Sequence, residues 1–259
     1  LAKSIKHDTI IGGTIVIRVT VWNEFQHEKS DMVVQKHYPK GIHNAIADFL
    51  KTNEDIVVTT AHLDMPEHGL PDEVLDNTDV LIWWGHIAHH KVSDEVVQKV
   101  CDRILMGMGA IFLHSAHHSK PFKKILGTSG NLTWRESGES LRLWCVDPTH
   151  PINEGLSMHL DIDEEETYGE YFDIPTPDEL VYISWYSGGD VFRSGCTWKR
   201  GCGKIFYFQP GHETYPIYHN EQVQKIITNA VRWAKPIRRM DKLECIHAPV
   251  SLEDQKKVK

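Results

Sequence analysis

The 259-residue chain has no apolar run long enough to span a bilayer, so no transmembrane helix is expected. Residues 1–7 lack the apolar core of a secretory signal. Basic residues are in the minority, 28 against 36 acidic, and no basic stripe stands out; the net charge of -8 argues against a nucleic-acid binder. No G-x-G-x-x-G and no Walker sequence is present. The pairs Gly188-Gly189 and Gly201/Gly203 lack a strand before and a helix after, so they read as turns, and no nucleotide cofactor is expected. Cysteine is sparse, with five scattered residues (Cys101, Cys145, Cys196, Cys202, Cys245). An odd, scattered set points to a reducing compartment and a cytoplasmic protein. Cys196 and Cys202 flank a turn, but a zinc site needs more ligands than that pair. His-Glu-x-x-His is also absent.

Two residue types are in surplus: 17 histidines and 8 tryptophans. Their placement follows the secondary structure. Thr14–Val21, Ile56–Thr60, Val80–Trp84 and Ala110–Leu113 are β-branched or continuously apolar, as strands buried on both faces are. Helical spacing lies between them, over residues 30–51, with Pro39-Lys-Gly41 opening its main part, and from the cap Ser93 to Gly107. A short helix follows near Lys120–Leu126, and Asn220 caps a last one that Pro236 ends. The second half reads mostly as strands, over 139–147, 180–185 and a hairpin of 191–199 with 204–208. The acidic stretch Leu160–Tyr168 reads as a solvated face. The expectation is an α/β fold: a doubly wound, mainly parallel, flavodoxin-like sheet with helices on both faces and a β-rich second half. One domain over residues 13–236 is expected, between an N-terminal arm (1–12) and a C-terminal tail (237–259).

The buried strands empty into histidines: His62, His86, His89, His114, His117 and His212, with Glu24, His27, Glu170 and Glu213 as neighbours. Open α/β sheets place ligands at these carboxyl ends. Two or three imidazoles with a carboxylate suit one divalent metal, zinc above all. The alternative is a polar cleft that works by hydrogen bonds alone. Ser115 follows a central strand, where a hydrolase of this architecture carries its nucleophile. Its flanks Leu113 and His117 are too large for the sharp elbow such a serine requires. Trp22 and Trp185, at strand ends, are candidate walls for a sugar ring, and Arg135 and Arg193 candidate holders of a hydroxyl or an anion.

The pieces Val21-Trp-Asn-Glu24, Asp79-Val-Leu-Ile-Trp-Trp-Gly-His86, Ile111-Phe-Leu-His-Ser115, His150-Pro-Ile152, Tyr168-Gly-Glu170 and Gly203-Lys-Ile-Phe-Tyr-Phe-Gln-Pro-Gly-His212 occur in that order. Together they resemble the trehalose-utilisation (ThuA-like) family over about residues 14–236. The resemblance implies an amidotransferase-like fold without the cysteine nucleophile, and a role in catabolism of trehalose or a keto-disaccharide. It singles out His114 and His212, then His86 and Glu170. The expected site has His86, His114 and His212 as metal ligands, and Glu170 and His117 as proton carriers. Trp22, Asn23, Glu24, Ser115, Trp185 and Arg193 are expected to contact substrate. The expected partners are a small sugar and further copies of the chain in a homo-oligomer, with no nucleic acid and no membrane. A non-catalytic sugar-binding or accessory protein is the competing reading. Convergence of the histidines with a carboxylate, within reach of a substrate, discriminates in favour of an enzyme.

Overall fold

The computed structural model describes residues 9–11 and 14–256. The expected N-terminal arm lies outside the described residues apart from 9–11, as does the end of the tail, 257–259. In chain order the elements are β1 (Thr9–Ile11), β2 (Thr14–Asn23), α1 (His27–Ser30), α2 (Met32–His37), α3 (Ile42–Leu50), β3 (Ile56–His62), α4 (Asp72–Asp76), β4 (Val80–Trp84) and α5 (Asp94–Met106). Then come β5 (Gly109–Leu113), α6 (Lys120–Leu126), β6 (Thr133–Cys145), β7 (His159–Gly169), β8 (Glu179–Tyr186), β9 (Val191–Arg200), β10 (Gly203–Phe208), α7 (Glu221–Ala234) and α8 (Leu252–Lys256). Ser93 caps α5 and Asn220 caps α7 through their side chains, as their sequence positions predict.

Five strands lie side by side in the order β3-β2-β4-β5-β10, all parallel. This is the flavodoxin-like order, and the chain reverses direction across the sheet between β2 and β4. Beyond β10 the order continues β9-β8-β6-β7, and every pairing there is antiparallel. The sheet is therefore mixed, which corrects the expectation of a mainly parallel one. The reason is local: β9 and β10 are joined by the tight turn Gly201-Cys202, with Gly201 at φ 57°, whereas parallel neighbours need a crossover. Residues 9–11, expected in the arm, pair antiparallel with the start of β2.

Every residue of β4 and β5 is buried, because helices cover both faces of the parallel half. Two glycines set that spacing. A Cβ on Gly109 would lie 2.4 Å from the carbonyl of Ala234 in α7, and one on Gly203 2.2 Å from that of Ile104 in α5. The two positions face opposite sides of the sheet in the β5–β10 register. On the α7 side, α3 packs beside it; on the α5 side, α4 and α6 do.

Beyond Pro236 the tail is fastened where it starts. Arg239 binds the Thr78 carbonyl and the Asp79 carboxylate, and Met240 N donates to Met106 O. No helix among the described residues is long and apolar enough to cross a membrane.

Candidate functional site

The carboxyl ends of β4, β5 and β10 deliver three histidines to one place. After β5 the chain turns sharply into a 3-10 segment, His114–His118, with His114 at φ 53°. A left-handed backbone is rare for a side chain of this size and marks stored strain. The turn points the fully buried His114 ring along the strand ends. Its Nδ1 lies 3.0 Å from the carbonyl of Gln209; a carbonyl only accepts, so Nδ1 carries the proton. Nε2 then faces Glu166 Oε2 at 3.0 Å and the Tyr168 hydroxyl at 3.4 Å. His86 arrives through Gly85, its Nδ1 2.8 Å from Glu213 Oε1, an oxygen that also bonds His27 Nδ1. His212 Nδ1 sits 2.7 Å from Thr214 Oγ1, while its Nε2 is 3.0 Å from Glu136 Oε1 and 3.9 Å from Glu166 Oε2. His86, His114, His212 and Glu166 thus offer one donor atom each within 4.8 Å of one another, and all but His86 are fully buried. A second set, His27, His86 and Glu213, adjoins it.

Glu166 reaches the site because β7 returns across the ends of the parallel strands. Ser115 Oγ bonds the Tyr168 hydroxyl at 2.7 Å, and Gln209 Nε2 donates to Glu166 O. Its neighbour Glu165 points the other way along the same crossing. The buried Glu165 carboxylate accepts from Gly211 N at 2.7 Å and from His212 N at 3.1 Å, so it clamps the His212 loop to β7. Burial pushes Glu165 up to about 7 against those hydrogen bonds. Burial also opposes charge on His114, but contact with Glu166, with Glu165 and Glu213 behind it, pushes the imidazole up to about 9. Burial works against ionisation of Glu213 too, yet the hydrogen bonds of His27 and His86 hold it far below the usual carboxylate range.

A cleft of about 370 Å³ opens beside the cluster and reaches two of its donors, His86 and Glu166. His86, Ser115, His117, Glu166 and Tyr168 form its floor, and His89, His118, Asn131, Trp134 and Glu136 its walls. His117 Nδ1 donates to Gly130 O at 2.7 Å, and burial holds the ring neutral, well below its ordinary pKa. Its Nε2 therefore keeps a lone pair.

Of the sequence-predicted residues, the structure brings together His86, His114, His212, His117 and Ser115. It takes the others elsewhere. Trp22 is core: it stacks on Trp83 at 3.8 Å between ring centroids and bonds the His68 carbonyl. Asn23 is fully buried and tied to Glu28 and His43. Glu24 caps the turn after β4 by accepting from Ile87 N and Ala88 N, and so positions His86 without facing the cleft. Glu170 lies past the end of β7, where the Arg193 guanidinium grips both its oxygens and the backbone N–H groups of Phe172 and Arg193 add two more bonds. Neither Glu170 nor Arg193 lines the cleft, and Arg135 is likewise taken up by Glu139 and Asp190. Trp185 stands half-exposed on β8, beside Arg142 in register, away from the cleft.

Sequence reasoning missed Glu166, Tyr168, Trp134 and Glu136. The stretch 160–168 is no solvated face, since Glu165 and Glu166 are buried within it. The alternation of Leu160 and Ile162, both buried, was the signal that these acids lie on a strand with an inner face.

Comparison with known proteins gives a consistent result. The model of a family described as trehalose utilisation, ThuA, matches residues 18–234. A ThuA-like protein from Parabacteroides merdae aligns with a TM-score of 0.63 at 15% identity, covering 88% of this chain and 94% of that one. A cytoplasmic protein from Salmonella typhimurium aligns at 0.57 and 10% identity, covering 85% and 100%. PurLQS from Thermotoga maritima aligns at 0.54 and 14% identity, covering 84% and 99%. At these identities the structures show a shared fold, of ThuA-like and amidotransferase type. No curated protein matches the sequence.

Proposed function

We propose, from the premise that the chain belongs to the trehalose-utilisation (ThuA) family, that it is a metal-assisted enzyme acting on trehalose or a derived keto-disaccharide. One observation carries the reading: His86, His114, His212 and Glu166 converge to within 4.8 Å, and two of them, His86 and Glu166, line an open cleft. Convergence with a carboxylate, in reach of a substrate, favours an enzyme over a sugar-binding accessory protein.

The donor set fits a divalent ion. Three imidazoles and one carboxylate suit zinc and its neighbours. The outer atom of His114 is already arranged: its Nδ1 donates to Gln209 O, which turns Nε2 toward the cluster, where an ion would take the place of the proton that Glu166 favours. Glu166 Oε2 is buried without a satisfied hydrogen bond, as an atom awaiting a ligand partner would be. When bound, the ion would act as a Lewis acid toward a sugar carbonyl or hydroxyl. The chain's own groups do the rest. Neutral His117 takes a proton from the bound sugar at Nε2. The Tyr168 hydroxyl, kept protonated by burial, and Ser115 Oγ hold a sugar oxygen by hydrogen bonds. Serine-type hydrolysis is disfavoured: Ser115 Oγ is paired with the Tyr168 hydroxyl, which is no general base. A cytoplasmic setting suits the five unpaired cysteines.

The test is elemental analysis of protein purified without a histidine tag, beside His114→Ala and His212→Ala. About one zinc or similar ion per chain, lost in both variants together with turnover of keto-disaccharides, is the expected result. Wild-type protein that takes up neither zinc nor manganese would sink the metal centre.

A further inference from the structure

Away from the four donors, the cleft has a wall that the chemistry above leaves unused. Trp134 is 65% exposed, more than any other of the eight tryptophans. It lies directly opposite Tyr168 in the β6–β7 register, so the strand pair that carries Glu166 also fixes this indole. Asn131, His118 and His89 complete the wall. His118 Nε2 meets Asn131 Oδ1 at 3.2 Å, which leaves the Asn131 Nδ2 group to donate. His89 Nε2 is buried and has no hydrogen-bond partner, a need that a ligand hydroxyl would meet. Burial keeps this ring uncharged, pushed down to about 3.

Charge narrows the ligand. Among the described residues no Lys or Arg lines the cleft, while Glu136 and Glu166 do. A phosphate or carboxylate placed there would meet no guanidinium or ammonium and two carboxylates. An exposed indole face beside neutral donors and acceptors matches an uncharged sugar ring instead. The C–H face of the ring lies on the indole, and its hydroxyls bond amide and imidazole.

We infer that Trp134, Asn131, His118 and His89 form a second subsite that seats an uncharged pyranose ring, while the reacting ring lies over the histidine–Glu166 cluster. The preferred substrate is then an uncharged disaccharide, and neither a monosaccharide nor a sugar phosphate. A cleft of about 370 Å³ is at the small end of ligand pockets and gives room for two rings rather than a polysaccharide. The inference rests on the sugar-processing reading and adds to it which ring goes where.

Isothermal titration calorimetry on the full chain tests it, with trehalose, methyl α-D-glucopyranoside and trehalose 6-phosphate as probes. Wild-type protein is expected to bind trehalose about tenfold or more tightly than the monosaccharide, and more tightly than the phosphate. Trp134→Ala should bring trehalose down to the level of the monosaccharide and leave the monosaccharide unchanged. Trp144→Ala, at another exposed tryptophan of β6 outside the cleft, should change neither. Sugars that bind with an intact disaccharide preference in Trp134→Ala overturn the subsite alone. Equal or tighter binding of the phosphate overturns its uncharged character. No binding of any of the three sugars overturns the sugar-processing reading and the subsite with it.

Discussion

His114 combines two demands that normally conflict: a left-handed backbone and a long, polar side chain that ends in the cluster. Its conformation costs free energy that glycine would not incur. His114→Gly and His114→Ala should therefore both lose the ion proposed for the cluster, yet differ in stability. The glycine variant is expected to be more stable by about 1 kcal/mol, read by urea denaturation; equal midpoints would show that the turn is unstrained. The imidazole itself was legible in the sequence, because an apolar run that stops at a histidine marks a strand end. The carboxylate that joins it was not. Glu170 carried the family resemblance as a proton carrier, but it lies past the end of β7 in the grip of Arg193, and the carboxylate that reaches the histidines is Glu166, four residues earlier. Glu24 was legible as a residue near the site, though its two backbone bonds make it a support for the His86 turn.

At the scale of elements, the site depends on β7 crossing the ends of the parallel strands. Glu165 is the clamp: its carboxylate receives Gly211 N, His212 N and Glu166 N, which no other group satisfies in the same way. Glu165→Gln replaces one accepting oxygen with a donor and leaves buried N–H groups unpaired. The expected cost is about 2 kcal/mol, or a fall in Tm of roughly 4–8 °C for a chain of this size. Calorimetry would show it, and zinc affinity should fall in parallel as the His212 loop loosens. An unchanged Tm would mean that the loop holds itself. The parallel strands and their helices were readable because burial on both faces leaves continuous apolar runs, and Ser93 and Asn220 announce the helices they cap. The course of β6 and β7 was harder. Both strands carry irregular registers, at Arg135–Glu139 and Glu139–Leu141, and a break in alternation hides the inner face from a period-two reading.

At the scale of the whole molecule, Asp79 ties separate parts together. It accepts from the backbone and guanidinium of Arg18 on β2 and from Arg239 beyond the last core helix. Burial opposes its ionisation, but the Arg18 hydrogen bonds and the two positive charges hold it below the ordinary carboxylate value. The folded chain therefore takes up this proton at lower pH than the unfolded chain does. The resulting stability is complete above about pH 4 and is lost as pH falls through the depressed value. Asp79→Asn should be less stable than wild type at pH 7, with the gap closing below about pH 4; a gap constant with pH would assign the effect to packing. One last consequence concerns the return of β7 and the loop after β10. His86 and His114 leave the ribosome about 100 residues before His212, a lag of roughly 5–20 s during synthesis. In that interval the nascent chain presents first two and then, with Glu166, three of the four donors, and an incomplete set holds a divalent ion weakly. Full affinity would arise only when the antiparallel half has folded over, so ion capture would serve as a timestamp for a finished chain.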